Sequence, residues 1–195
     1  MKYDIVLCGV GGQGVLSVAA IIAEAAVAEG FQVRQSEVHG MAQRGGAVLA
    51  HLRIADRNIY SDLIPSGGAD MILSLEPLEC LRYAAFLSPG GTLITADVPI
   101  ENIPDYPPLE DVYKTIAGFP KHSRVPALEI AKKAGNSKAV NMVLVGAAAK
   151  HLPLETEKME NAIKQRFASK GSEIVQMNLA AFHGGNSLPG GKSTL

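Results

Sequence analysis

Ile5-Val6-Leu7-Cys8, followed by Gly9-Val10-Gly11-Gly12-Gln13-Gly14 and then Val15-Leu16-Ser17-Val18, decides the fold. The first four residues read as a buried strand and the next six as a glycine turn. Val15, Val18, Ile22 and Ala25 then recur on one face of a helix. Glycines in such a turn let backbone N–H groups approach a ligand, and the helix start beyond them favours an anion. Gly9, Gly11 and Gly14 satisfy the G-x-G-x-x-G spacing in this context. Three readings follow: a dinucleotide site, a turn needed only for packing, and a turn that touches another ligand or a partner subunit. A dinucleotide site also wants an acid at the end of the second strand to hold the ribose. Glu37 falls slightly late for that role and sits beside another glycine loop.

Working outward, Gly30 ends the first helix as a C′ glycine, and residues 31–36 read as a second strand. Strand, helix and strand make a βαβ unit, expected to be right-handed and parallel. Residues 37–46 read as a structured loop ending in Gln43-Arg44-Gly45-Gly46. With adjacent parallel strands, both glycine loops lie at the carboxyl edge of the sheet, which brings Arg44 near the first loop. An arginine there suits phosphate or carboxylate. A loop-locking ion pair with Glu37 explains it equally well. Residues 47–54 alternate as a strand, 56–58 are turn chemistry and 59–64 return, so a hairpin and a mixed sheet are expected. Further strands are read at 69–74 and 92–96, with a short one at 111–116. Pro77 opens a helix running to about 87, and four prolines make 99–108 a loop. Helices are expected at 126–134, 138–151, 155–170 and 172–182, with a loose tail from Gly184. The fold class is α/β: a three-layer Rossmann-like domain with a mostly parallel, mixed sheet and a helical C-terminal third. The domain is taken as 1–185, with 186–195 a flexible tail.

Composition narrows the function. A net charge of −1 and 5% aromatic residues argue against a nucleic-acid partner, which wants basic stripes and stacking platforms. The greasy stretch 15–28 is shorter than the roughly 20 residues of a membrane span, and the start lacks the pattern of a secretory leader. Cys8 and Cys80 form no CxxC pair, cluster site or disulfide framework, which fits a reducing cytoplasm. Cys8 reads as core filler and Cys80 as a helix residue. The five histidines lack metal-ligand spacing, so no metal site is expected. Gly190-Gly191-Lys192-Ser193-Thr194 imitates the end of a P-loop, but Asn186 stands where that motif needs glycine. No catalytic set of residues stands out. Read alone, the chain is a binding or assembly subunit.

Three segments together carry a resemblance: Gly9-Val10-Gly11-Gly12-Gln13-Gly14, the loop 36–46 ending Gln43-Arg44-Gly45-Gly46, and Asn141-Met142-Val143-Leu144-Val145-Gly146 with Asn178-Leu179-Ala180-Ala181-Phe182. In combination they resemble the gamma domain of the 2-oxoacid:ferredoxin oxidoreductases, over about residues 4–185. Glu37-Val38-His39-Gly40-Met41-Ala42 before the second glycine loop is most like the small subunit of the branch acting on indolepyruvate. The resemblance implies an assembly that oxidatively decarboxylates an arylpyruvate with coenzyme A. The products are an acyl-CoA and CO₂, and the electron pair passes to ferredoxin. It implies that thiamine diphosphate and iron–sulfur clusters sit on a catalytic alpha subunit, and that ferredoxin meets the assembly and not this chain. Two isolated cysteines, and the lack of a Gly-Asp-Gly segment of the thiamine-diphosphate type, agree with that division. The resemblance further implies a coenzyme A contact, with Gly9, Gly11, Gly12, Gln13 and Gly14 along one edge and Arg44, Gly45 and Gly46 opposite. The alternatives are a gamma subunit for pyruvate, 2-oxoglutarate or a branched-chain 2-oxoacid, and a Rossmann-type nucleotide-binding or sensor domain. A subunit of this kind is expected to be colourless, free of iron and inactive alone, and either to expose an apolar surface that awaits a partner or to self-associate as a homo-oligomer in its absence.

Overall fold

From Asp4 to Val10 every residue of β1 (Lys2–Val10) is buried in the computed structural model, which describes residues 1–39 and 45–189, His39 by its backbone alone. Side chains alternate across a strand, so β1 feeds two cores. Ile5 and Leu7 enter one, Val6 and Cys8 the other. α1 (Val15–Ala28) covers the first core with Val18, Ile21, Ile22 and Ala25. Gly30 stops it as expected: at φ +85 it donates to Val27 O at 2.9 Å while Phe31 donates to Ala26 O at 3.0 Å. That paired closure of a helix end favours glycine.

The chain then departs from a simple βαβ unit. β2 (Gln32–His39) does not lie beside β1. β3 (Ala47–Ala55) is inserted between them and runs antiparallel to both, so that Leu49 faces Cys8 on one side and Val38 on the other. Burial explains the order. Ala50, Leu52 and Ile54 of β3 are fully buried, which demands an interior position. β2 exposes Gln32, Arg34, Gln35 and Glu37 and therefore suits the edge. β4 (Ala69–Ser74), β5 (Leu87–Ala96) and β6 (His122–Val125) follow β1 in parallel, giving the order β2-β3-β1-β4-β5-β6. The sheet is thus mixed and mostly parallel, as expected.

Residues 59–64 do not return as a strand. Their backbone groups are held by side chains of β3: Arg53 donates to Ser61 O and Leu63 O at 3.0 Å each, and Ile64 N–H donates to His51 Nδ1 at 3.1 Å. The segment crosses the face of the sheet and does not extend it. Residues 111–116 are also corrected. They belong to α3 (Leu109–Ala117), which buries Val112 and Ile116, one helical turn apart, in the second core. Acids in its first turn and Lys114 in its last match the helix dipole. α2 (Pro77–Arg82) is shorter than expected and shares that face. α4 (Ala127–Lys133), α5 (Val140–Ala149), α6 (Thr156–Phe167) and α7 (Ser172–Asn186) make the helical third over the first core. α7 runs past Phe182, so Gly184 and Gly185 are helical where a loose tail was expected. Residues 190–195, with the P-loop imitation, lie outside the described residues.

His51 is expected to make the stability of the fold depend on pH. It is 4% exposed and packs edge-on against Phe86 with ring centroids 5.2 Å apart. Burial, and then the Arg53 charge, hold its pKa below the ordinary imidazole value, with Asp4 opposing. Accepting from Ile64 N–H also requires an unprotonated Nδ1. A group with a depressed folded pKa contributes stability above its unfolded pKa, here about 6.5, and that stability is lost as pH falls through the folded value. Urea unfolding midpoints should therefore fall between about pH 7.5 and about pH 5.5, and His51→Gln should flatten that slope.

Candidate functional site

β1 delivers its glycine turn to the carboxyl edge of the sheet. Gly12 and Gly14 adopt φ +102 and +87, a region side chains avoid. A Cβ on Gly12 would meet open space, so this residue presents bare backbone to a cavity. Gly9 serves packing instead. A Cβ there would come within 2.8 Å of Gln13 Oε1 and 3.1 Å of Leu75 Cβ. Gln13 is a fastener: Oε1 accepts from Val10 N–H and Nε2 donates to Leu75 O, each at 2.7 Å. It ties the turn to the residue after β4. Gly11 donates to Gly46 O at 2.8 Å and accepts from Gly45 N–H at 3.3 Å, extending the β1–β3 pairing beyond Val10 and Ala47. The two glycine loops do meet, but through the start of β3 and not through neighbouring parallel strands. Gln43 and Arg44 lie outside the described residues, as does an ion pair between Arg44 and Glu37.

Gly12 lines two cavities. One, of about 460 Å³, opens where the chain leaves β1 toward one side of the sheet and β4 toward the other. Open α/β sheets bind ligands at that point. Its walls are apolar (Leu75, Ala96, Val98, Ile100, Leu128 and Val140), with Lys138 beside them. The other, of about 480 Å³, lies over Gly14, Val15, Leu16 and Ser17. Gly14 offers no capping side chain, and the first helical bonds run from Ser17 and Val18 to Gly14 O. Val15 and Leu16 N–H groups precede that ladder and remain as donors at the positive end of α1.

Residues 97–108 form a wall of the crevice and are anchored by Glu76, which motif reading did not single out. The Glu76 side chain is buried: Oε1 accepts from Tyr106 O–H at 2.5 Å and Ile100 N–H at 3.3 Å, and Oε2 accepts from Glu79 N–H at 2.8 Å. Burial and then the Glu76 carboxylate push the Tyr106 phenol well above its ordinary value, so Tyr106 stays a donor. Asn102 donates to Gly45 O at 2.9 Å and ties the same wall to the second glycine loop. Pro77 marks the start of the helix after Glu76, and that alone was legible. Cys8 and Cys80 are buried beside this wall. Burial pushes the Cys8 thiol up to about 12 and the Cys80 thiol higher. Neither fits a thiolate ligand or nucleophile. Glu37 sits on β2, with all of β3 between it and β1. At about 4.8 Å per strand it is displaced from the turn by roughly twice the spacing a ribose acid needs.

A family model described as pyruvate ferredoxin/flavodoxin oxidoreductase matches residues 4–188. The chain belongs to that family. Within the pyruvate ferredoxin/flavodoxin oxidoreductase family, it is 39% identical over 194 residues to indolepyruvate oxidoreductase subunit IorB of Methanothermobacter thermautotrophicus, covering 95% of this chain and 96% of that one. The IorB subunit of Archaeoglobus fulgidus is 42% identical over 190 residues, covering 93% and 92%. Among solved structures, the gamma subunit of a keto/oxoacid ferredoxin oxidoreductase from Geobacter sulfurreducens superposes with a TM-score of 0.69 at 29% identity, covering 94% and 96%. A 2-oxoglutarate:ferredoxin oxidoreductase from Magnetococcus marinus, with 2-oxoglutarate, coenzyme A and succinyl-CoA bound, shares the fold at a TM-score of 0.76 and 20% identity. It matches 97% of this chain and 32% of the larger one. The resemblance carried by the glycine loops and by the runs on α5 and α7 is borne out.

Proposed function

We propose that the chain is the small subunit of an indolepyruvate:ferredoxin oxidoreductase, holding no reaction centre and presenting its glycine edge to coenzyme A. The observation that carries this is likeness along the whole length of both chains to subunits named for indolepyruvate, at 37–42% identity. Likeness to the ketoisovalerate and 2-oxoglutarate enzymes is lower, at 28–32%. Cys8 and Cys80 are both buried, and two cysteines fall short of the four thiolates a cluster takes, so this reading assigns the clusters, and with them thiamine diphosphate, to the partner. Backbone donors at Gly12 and the start of α1 suit a pyrophosphate. The apolar crevice on the other side of Gly12 suits a chain of methylene and amide groups, and Arg44 adds a charged fork.

Reconstitution tests the reading. The chain and a large subunit bearing a thiamine-diphosphate motif and ferredoxin-type cysteines should together reduce ferredoxin with indolepyruvate and coenzyme A. Neither should do so alone. Full turnover by the large subunit alone, or a preference for pyruvate, would overturn it. In the same assembly Arg44→Ala should raise the apparent KM for coenzyme A by roughly tenfold, the loss expected for one charge-assisted contact. An unchanged KM with unchanged assembly removes Arg44 from the contact.

A further inference from the structure

The edge of the sheet opposite the glycine turn holds a cavity of about 270 Å³, lined by Thr92, Lys121, His122, Ser123 and His151. Every one of these side chains can donate a hydrogen bond, and none is a carboxylate. Thr92 comes from β5, residues 121–123 from the start of β6, and His151 from just beyond α5. Three separate elements therefore converge on one polar hollow. Its size is below the roughly 300–1,000 Å³ of pockets for drug-sized ligands, which points to a small ion or metabolite.

We propose that this cavity binds a small tetrahedral oxyanion of the phosphate or sulfate type, free or as the phosphoryl end of a small metabolite. The charges around it agree in sign. Lys121 lies at the mouth, its Nζ 3.0 Å from Gly90 O, a single bond that leaves its other donors for a ligand. The groups whose charges act on His151 are Lys150 on its own element and Lys121 from the start of β6, both cationic. Burial, and then that positive field, keep the His151 ring neutral below its ordinary pKa. Burial disfavours charge of either sign, so it is the field of Lys150 and Lys121, the smaller cause, that favours an anion here. His122 Nδ1 lies 2.7 Å from Phe119 O. A carbonyl only accepts, so Nδ1 carries a hydrogen and this bond fixes the ring at the cavity. Anion binding and protonation of His151 are thus linked, and each favours the other.

The site is separate from the glycine edge, yet α5 reaches both. Val140 at its start lines the apolar crevice, and His151 beyond its end lines this cavity. The full chain titrated with sodium sulfate tests the proposal, because sulfate keeps its charge over the range used. Backbone NMR shifts should move at Thr92, residues 121–123 and His151, with binding roughly tenfold tighter at about pH 6 than at about pH 8. The His151 imidazole midpoint should rise with sulfate. Chloride at equal ionic strength should reproduce neither effect. Lys121→Gln and His151→Gln should each weaken sulfate binding roughly tenfold with the melting temperature kept. Lys121 is exposed, so its variant folds even if the histidine variant does not. Shifts confined to the glycine edge, equal effects of chloride, or sulfate binding indifferent to Lys121→Gln would each overturn the site.

Discussion

Gly146→Ala should destabilise the molecule by about 3 kcal/mol or more, at the top of the range for overpacking. In an open helix the same change would stabilise by about 1 kcal/mol, so the sign is reversed by packing. α5 and α7 cross at a pair of glycines. A Cβ on Gly146 would stand 1.9 Å from Phe182 O and 2.8 Å from Asn186 N, and one on Gly185 would stand 1.9 Å from Val143 O. Each helix thus lays backbone against backbone of the other. No rotamer relieves a clash with a carbonyl oxygen, so the helices must part along the crossing. They would take Met142, Val145 and Phe182 out of close contact in the main core. For a domain of this length roughly 2–4 °C is lost per kcal/mol, so the melting temperature should fall by about 6–12 °C. Gly185→Ala should match it. Gly184→Ala is the milder comparison: its Cβ meets no backbone, only the Ile130 Cγ2 methyl at 2.5 Å, so it should cost less than Gly146→Ala. If Gly146→Ala melts with the native chain, the backbone crossing is not what holds α7.

The same glycine shows what the sequence could and could not reveal. The run ending at Gly146 was legible as part of a family pattern, but the reason for the glycine lies far along the chain, at Phe182 and Asn186 on α7. β1 and α1 were legible because strand, turn and helix signals are local and adjacent. The insertion of β3 between β1 and β2 was not, because alternation marks a strand without naming its neighbour. Residues 59–64 imitated a strand through Ile59, Leu63 and Ile64, while their backbone partners turned out to be the side chains of His51 and Arg53. Val112 and Ile116 suggested a strand by composition, and their spacing of four was the better guide. At the candidate site the bare glycines were visible as motifs. The wall was not: Glu76 reaches Tyr106 across 30 positions and Asn102 reaches Gly45 across 57. Such pairs leave no periodic trace.

Arg53→Met should cost about 3–5 kcal/mol, the loss expected when one partner of a buried ion pair is removed. Asp4 has no exposed side-chain surface and Arg53 only 15%. The guanidinium grips the carboxylate with both prongs, Nε to Oδ1 at 2.9 Å and a terminal nitrogen to Oδ2 at 3.0 Å. Its remaining nitrogen carries the carbonyls of Ser61 and Leu63. Methionine fills similar space but leaves a buried anion and two carbonyls without their donor. Lys2 stays 2.6 Å from Asp4 Oδ2, which places the cost toward the lower end. Two readouts separate the parts. Adding Asp4→Asn to Arg53→Met should recover stability, because the stranded charge is removed, while amide exchange across 59–64 should stay fast in both variants. If Arg53→Met lies within about 1 kcal/mol of the native chain, as an exposed pair would, Arg53 does not hold this segment to the sheet. If the double variant is no better than the single, the cost lies in the lost carbonyl contacts and not in the charge.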